Sequence, residues 1–311
     1  GIASDAPRDL PQAEGSAYRI EPLWQVEGKG RAWLDFANDV TTKDVKLSAQ
    51  EGFTSVEHMK RYTTQGMAPD QGKSSNVAAL AVLADATGRY WWTTRNGRLG
   101  TLDPQSGHVT VLRLGEEIQN AMAVDAHAVY VLTDHAQYAF VADAGGLPRQ
   151  LWRSAYDRGS DRKVGSINQG SGTTPTLIGD RWITFADNAD GRINVVVLDR
   201  QNGSPVCKVP VFDEGHSATD NSMIAWGRSI ILENNAGFAN AHQQRDWNAV
   251  RGGVVRVDVR ADGKGCDTIW TSPLKSPSVV AKLAAKSGIA WYYSFTLAKG
   301  TQNWALVGLD F

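Results

Sequence analysis

The chain has 311 residues, which is enough for one large β domain or for two smaller domains. Its 32 basic and 33 acidic residues nearly balance, and no basic stripe with interleaved aromatic residues occurs, which argues against a nucleic-acid partner. No apolar run approaches the roughly 18 residues that a membrane-spanning helix needs, so the sequence predicts no membrane span.

Two kinds of sequence meet near residue 87. Residues 1–21 have no period and are rich in Pro, Ala and acidic side chains, which predicts a linker or arm. Residues 22–86 predict a mixed or helical segment with a short strand over residues 32–36. Three helix starts follow, the first capped by Thr41 or Thr42 before a stop at Gly52, the others beginning at Ser55 and near Ser75.

From Tyr90 onward the apolar residues alternate with polar ones, as they do in β-strands. Five short runs each follow an apolar run and a tight turn: YWWTT, VYVLT, WITFAD, SIILEN and AWYYSF. A third run, and in most cases a fourth, comes after each of them. A unit of four antiparallel strands that recurs at about forty to sixty residues predicts β-propeller blades. We therefore predict a mainly β fold in which residues 87–311 form an incomplete propeller of about four to five blades.

An all-β sandwich is the competing fold, because it also contains short strands and turns. It does not repeat the same order of runs four or five times, which favours the propeller.

The first segment contains the motifs DFANDVT, EGFTSVEHMKRYTTQGM and DQGKSSN in this order. With them, residues 22–85 resemble the connecting region of the sarcosine oxidase α subunit. The resemblance implies that the flavin and nicotinamide sites of that family lie upstream and its folate site downstream. No G-x-G-x-x-G follows a strand in this sequence, so we predict no flavin or NAD motif, and sarcosine oxidation is not expected of this chain alone. The segment implies a cytoplasmic protein.

The second part carries AYDRGSDRKVGSINQGSGTTPTL, FADNADGRINVVV, VCKVPVFDEGHSATDNSMI and ENNAGF. With these motifs, residues 88–311 resemble a bacterial quinoprotein-like β-propeller family, many of whose members have no assigned activity. That family is mostly exported, so this part implies an exported or periplasmic protein. The two resemblances together predict a chimera or a fragment.

Polar residues gather at two places in each predicted blade, before the innermost strand and after the second strand. Because adjacent strands are antiparallel, both places lie on one edge of the ring, around the mouth of the axial channel. Carboxylate and amide oxygens suit calcium or a small polar ligand. The predicted site consists of Asn120, Asp187, Asn188, Asp220, Asn221, Glu233 and Asn234, with His135, Thr174 and Asn235 as secondary members. The alternative for each pair is an Asx turn that satisfies loop backbone without any ligand.

Three functions stay open at this point. The first is a propeller that binds calcium or a small polar ligand, as a binding protein, a hydrolase or a quinoprotein-like enzyme. The second is a non-catalytic propeller with a protein partner, and the third is a fragment of a sarcosine oxidase α-like flavoenzyme subunit. Cys207 and Cys266 are either two buried thiols or, in an exported protein, a disulfide.

Overall fold

The structure is a computed structural model of the chain. It describes residues 28–36, 38–53, 56–67, 79, 88–103, 106–164, 166, 168–239, 244–277, 282–298 and 301–311. The predicted arm over residues 1–21, the predicted cap Ser55 and nearly all of the helix predicted near Ser75 lie outside these residues. In the ranges given, no helix is both long enough and apolar enough to span a membrane.

The N-terminal segment folds as a hairpin followed by two helices: β1 Trp33–Asp35, β2 Val40–Thr41, α1 Thr42–Gln50 and α2 Val56–Thr63. Helix α1 begins after Thr41, as predicted, because the carboxylate of Asp44 accepts hydrogen bonds from the Thr41 backbone N–H and hydroxyl at 2.7 and 2.6 Å. The chain leaves α1 through Gly52, whose φ of +88° favours glycine. The predicted strand is present in a shorter form.

A small core holds this segment together. Val45 and Ser48 are buried on the same face of α1, one turn apart. Val45 packs with Leu34 and Val40 of the hairpin and with Met59 of α2. The segment therefore has apolar contacts of its own.

Five further antiparallel sheets follow within the described residues, each with its strands in sequence order. Sheet 1 contains β3 Tyr90–Thr94, β4 Arg98–Leu102 and β5 Leu112–Arg113. Sheet 2 contains β6 Ala123–Val124, β7 Val129–Leu132, β8 Ala136–Ala142 and β9 Pro148–Ala155. Sheet 3 contains β10 Thr176–Ile178, β11 Trp182–Ala186, β12 Asn194–Asp199 and β13 Pro205–Pro210. Sheet 4 contains β14 Ile224–Trp226, β15 Ser229–Glu233, β16 Val254–Val259 and β17 Cys266–Ser272. Sheet 5 contains β18 Lys282–Ala284, β19 Ile289–Ala298 and β20 Thr301–Asp310.

The central strands of sheets 2, 3 and 4 are apolar on both faces because each of these sheets lies between two others. Val195 and Val197 of β12 pack in the same cluster as Ile230 of sheet 4. Val196 and Leu198, which point to the opposite face, pack in the cluster that includes sheet 2. The four consecutive apolar residues of β12 thus fill two different interfaces.

The same alternation continues along the chain. Ile230 and Leu232 of β15 face sheet 3, whereas Ile231 packs with Tyr292 of sheet 5. Leu99 of sheet 1 joins the buried residues of sheet 2 in a further cluster. Consecutive sheets therefore pack face to face, which is the arrangement of propeller blades. The predicted mainly β, propeller-type fold with an N-terminal mixed segment is confirmed.

A disulfide joins two neighbouring sheets at their last strands. Cys207 lies on β13 and Cys266 on β17, and their Cα atoms are 5.9 Å apart. The two strands also contact one another directly. The bond therefore links sheets 3 and 4 covalently across 59 residues of sequence.

Candidate ligand-binding site

The sequence-predicted residues lie at the expected ends of the strands. Asp187 and Asn188 directly follow β11, Asn234 and Asn235 follow β15, and His135 comes after β7. The remaining members stand before the first strand of a sheet or at the end of the second: Asn120, Thr174, Asp220, Asn221 and Glu233.

The loops that precede the first strands touch one another in series. The side-chain amide of Asn120, before β6, donates to the backbone oxygen of Ser171 at 3.0 Å, in the loop before β10. The next contact joins that loop to the one before β14, where the backbone N–H of Thr174 donates to the hydroxyl of Ser222 at 3.3 Å. The loops of sheets 2, 3 and 4 therefore meet at one edge.

Asp187 is fully engaged by protein donors at this edge. Its carboxylate accepts from the backbone N–H of Asn194 at 2.7 Å and from the side-chain amide of the same residue at 2.8 Å. The Lys208 ammonium lies 3.0 Å from its second oxygen, and the Asp187 side chain is completely buried. These contacts match the Asx alternative, in which the side chain stabilises the strand end.

Asn188 and Asn234 hold loop backbone in the same way. The Asn188 amide donates to three backbone oxygens, those of Arg158, Asp161 and Gln169, at 3.0, 3.3 and 2.6 Å. The Asn234 amide donates to two backbone oxygens, and its carbonyl accepts from two backbone N–H groups. Both side chains therefore stabilise the loops around them.

His135 belongs to a hydrogen-bonded network with a carboxylate and a guanidinium. Its Nδ1 lies 2.8 Å from the Asp134 carboxylate, and its Nε2 lies 3.0 Å from the Arg158 guanidinium, which also donates to Asp134 at 2.9 Å. Because a guanidinium can only donate, Nε2 accepts, and the proton on Nδ1 is donated to Asp134. Both ring nitrogens are thus used within the protein.

A cavity of about 150 Å³ lies where the loop before β14 faces the residues after β15. Its lining combines a carboxyl group, two side-chain amides and two hydroxyls with an aromatic ring and small aliphatic groups. The lining residues are Val164, Ser166, Ala218, Thr219, Asp220, Asn221, Asn235, Phe238, Ala239 and Pro277. Three members of the predicted site, Asp220, Asn221 and Asn235, therefore share one cavity.

Asn235 and Glu233 fix the polar wall of this cavity. The Asn235 carbonyl accepts from the hydroxyl of Thr219 at 3.0 Å and from the backbone N–H of Asp220 at 2.9 Å. Its amide donates to the backbone oxygen of Pro277 at 2.6 Å. The buried Glu233 accepts from the Asn221 side-chain amide at 2.8 Å. These bonds hold the cavity-lining side chains in place.

Asp220 is the perturbed group of the cavity. Burial raises the pKa of its carboxyl from 3.8 to about 6, although a hydrogen bond with Ser166 acts in the opposite direction. Its Oδ1 is buried and has no hydrogen-bond partner among the described residues. Gly172 lies against the same atom, since a Cβ added there would come within 1.7 Å of Oδ1. A buried acceptor without a donor is uncommon in folded proteins.

The side chains that could act as metal ligands decide whether the predicted calcium site is supported. Within the described residues, no group of three or more His, Cys, Asp and Glu side chains is placed to hold a metal ion. The cavity offers a single carboxylate, with neutral amide and hydroxyl oxygens beside it. Calcium binding at the predicted residues stays a prediction.

Sequence reasoning missed several members of the cavity. Ser166, Phe238 and Pro277 line it, yet none of them is among the residues predicted from the sequence. Phe238 ends the ENNAGF motif and Ser166 lies in the long polar run before Thr173, so their positions next to predicted residues were the available signal. The long-range pairing of these loops was not visible in the sequence.

Comparison with known proteins finds relatives for the N-terminal part of the chain and for the first strands of sheet 1. Residues 29–99 match the sarcosine oxidase A3 domain. The match includes the hairpin, α1 and α2, and it reaches into β4. The predicted resemblance to the sarcosine oxidase α subunit is therefore confirmed for this segment.

Three curated sarcosine oxidase α subunits are similar over this part. The one from Rhizobium meliloti (strain 1021) is 54% identical over 68 residues, which cover 22% of this chain and 7% of that subunit. The subunit from Corynebacterium sp. (strain U-96) is 46% identical over 89 residues, and that from Corynebacterium sp. (strain P-1) is 36% identical over 93. These two matches cover 26% and 27% of this chain and 9% of each subunit. The chain thus spans less than a tenth of the length of these relatives.

Several solved structures are distantly similar in shape. A hypothetical selenium-binding protein from Sulfolobus tokodaii has a TM-score of 0.39 at 10% identity, covering 57% of this chain and 47% of its own. The dihydro-heme d1 dehydrogenase NirN has a TM-score of 0.44 at 15% identity, covering 68% and 41%. The Pan2 WD40 domain of Neurospora crassa has a TM-score of 0.36 at 13% identity, covering 71% and 59%. Likenesses at this level carry no argument about function, and the quinoprotein-like resemblance of residues 88–311 stays a prediction.

Proposed function

We propose that the two parts of the chain have separate functions and that residues 29–99 act as an A3-like segment of a sarcosine oxidase α-like flavoenzyme subunit. The family match over these residues carries this proposal, and the 54% identity to the Rhizobium meliloti subunit supports it. The apolar contacts among Leu34, Val45 and Met59 are consistent with a segment that keeps its own core. The flavin chemistry of such a subunit would belong to other segments, because this chain has no dinucleotide-binding motif.

A segment exchange tests this role. The matched residues of the Rhizobium meliloti subunit are replaced by residues 29–99, and flavin content and sarcosine oxidation are measured in the assembled enzyme. We expect a soluble subunit that keeps its flavin and oxidises sarcosine. A subunit that folds with its flavin but is inactive, or one that is insoluble while an exchange from the Corynebacterium sp. (strain U-96) subunit is soluble, would contradict the proposal.

For the propeller-type sheets, the proposed function is binding of a small polar ligand or cation in the cavity at Asp220. The carrying observation is Asp220, which lines the cavity and whose buried Oδ1 has no hydrogen-bond donor among the described residues. An unpaired buried acceptor costs about 1–3 kcal/mol of stability, which a bound donor or cation recovers. Among the described lining residues Asp220 is the one ionisable side chain.

The neighbouring predicted residues support this narrower site. Asp187, Asn188 and Asn234 already bind protein groups, so they stabilise the loops, whereas Asp220 and Asn221 face the cavity. Glu233 acts through its hydrogen bond to Asn221. Calcium is one candidate occupant, with the Asp220 carboxylate as the charged ligand and amide or hydroxyl oxygens beside it.

Thermal unfolding in the presence of small compounds tests the cavity. Calcium, magnesium, small amines and small alcohols are added one at a time to the unchanged chain and to the variant Asp220→Asn. The matched control is Asp180→Asn, which removes a carboxylate that is exposed to solvent. A ligand at 100 times its Kd stabilises the folded state by about 2.7 kcal/mol. We expect at least one compound to raise the melting temperature of the chain and of Asp180→Asn but not of Asp220→Asn. If no compound does so, the cavity is not a binding site, and the protein-interaction alternative gains support.

A further inference from the structure

The cavity at Asp220 has a chemistry that selects among ligands. We infer that its ligand is a small alkylammonium cation, and this inference rests on the proposed binding function of the cavity. Three properties of the lining carry it: the sign of its charge, the nature of its apolar wall and its size.

The charge of the lining favours a cation. Asp220 is the charged group, and the described lining contains no Lys, Arg or His. A carboxylate or phosphate ligand would therefore meet a like charge without a basic partner. An alkylammonium group supplies the opposite charge, which attracts it to the Asp220 carboxylate and distinguishes it from a neutral ligand of the same size.

The wall opposite the polar groups favours alkyl substituents on that cation. Phe238 contributes an aromatic ring, and Ala218, Ala239, Pro277 and Val164 contribute aliphatic surface. Aromatic faces attract cations, and alkylated ammonium groups are commonly recognised by aromatic rings. A bare divalent ion would gain nothing from this wall, because it needs six or more oxygen ligands.

The aromatic wall is supported from behind. The ring of Phe238 lies 6.0 Å from that of Trp247, which in turn packs edge-on against Phe295 at 5.2 Å and Trp304 at 5.8 Å. These contacts fix Phe238 at the edge of the cavity and connect it to sheet 5. A preformed wall of this kind reduces the ordering that binding requires.

The volume sets the size of the ligand. A cavity of about 150 Å³ accepts a compact molecule of about six non-hydrogen atoms. Trimethylammonium and tetramethylammonium have four and five such atoms. A compact methylated ammonium therefore fits the cavity together with its contact to Asp220.

Calorimetric titration of the full chain distinguishes the ligand classes. The probes are tetramethylammonium and trimethylammonium chloride, the neutral isostere tert-butanol, sodium acetate and calcium chloride. Each is titrated into the chain, Asp220→Asn, Phe238→Leu and two controls, Asp180→Asn and Trp226→Leu, whose side chains are exposed. We expect the two ammonium probes to bind the chain and both controls with equal affinity. We expect the affinity to fall about tenfold or more in Asp220→Asn and severalfold in Phe238→Leu.

The outcomes separate the ligand class from the binding function. If tert-butanol or acetate binds as tightly as the ammonium probes, or if calcium alone binds and does so through Asp220, the inference is overturned while the proposed binding function stands. If no probe binds and the melting-temperature panel is also flat, both are overturned. Should Asp220→Asn fail to fold, the Phe238→Leu result and the Trp226→Leu control decide the matter.

Discussion

Replacing Asp220 by asparagine removes a charge that burial disfavours, and the structure sets the direction of the effect on stability. The pKa of Asp220 is about 6 in the folded protein and 3.8 in its ordinary environment. Between these pH values the folded state binds more protons than the unfolded state, so the free energy of unfolding falls as the pH rises through this window. Above this pH window the full free-energy cost of burying the charged carboxylate is present. This difference between the two pKa values corresponds to about 3 kcal/mol in the free energy of unfolding, and the remaining solvent exposure of Asp220 reduces it to about 1–3 kcal/mol.

Asp220→Asn should therefore be more stable than the natural chain at pH 7 by about 1–3 kcal/mol, with almost no difference at pH 4. Urea unfolding at both pH values measures this, with Asp180→Asn as the control for loss of an exposed carboxylate. A variant that is less stable at pH 7, or that differs by the same amount at both pH values, would refute the assignment of a buried, disfavoured charge.

Three further predictions concern stability, each measured by urea unfolding. Gly172→Ala places a Cβ 1.7 Å from Asp220 Oδ1 and should destabilise the chain by about 1–3 kcal/mol, whereas Gly28→Ala, with no atom within 4 Å, should not. Asn188→Ala removes the donor of three backbone oxygens and should lose about 1–3 kcal/mol, and a loss no larger than that of the exposed Asn202→Ala would contradict this. Reducing the disulfide opens a loop of 59 residues and should lower stability by up to about 4 kcal/mol; unchanged unfolding in reductant would refute its contribution.

The fold was largely predictable because the side-chain pattern of a strand depends on residues that are adjacent in the sequence. Runs such as VVVLD in β12 depart from strict alternation because that strand is buried on both faces. The recurrence of the same order of turns and strands then predicted how the strands group into sheets. The sequence could not show which neighbour each face would meet: Val196 faces sheet 2 and Val197 faces sheet 4 because of packing between segments far apart in the chain.

The candidate site was predictable in position but not in the use of its residues. Asp187 and Asp220 have the same chemistry and both stand at strand ends, yet Asp187 is enclosed by Asn194 and Lys208 whereas Asp220 borders a cavity. Their difference depends on partners that come from other strands and loops. The role of Phe238 likewise depends on its packing against Trp247, a contact that no local pattern reveals.

Strands whose two faces pack against different neighbouring sheets affect the cooperativity of unfolding. Since β12 and β15 each complete two apolar interfaces, loosening one sheet exposes a face of both its neighbours, and opening should spread from sheet to sheet in a linear order. Amide hydrogen exchange should then be slowest in β12, which is enclosed on both sides and lies in a sheet covalently tied to the next, and faster towards sheets 1 and 5. The sheets would therefore open one after another, and the protein would not open as a single cooperative core.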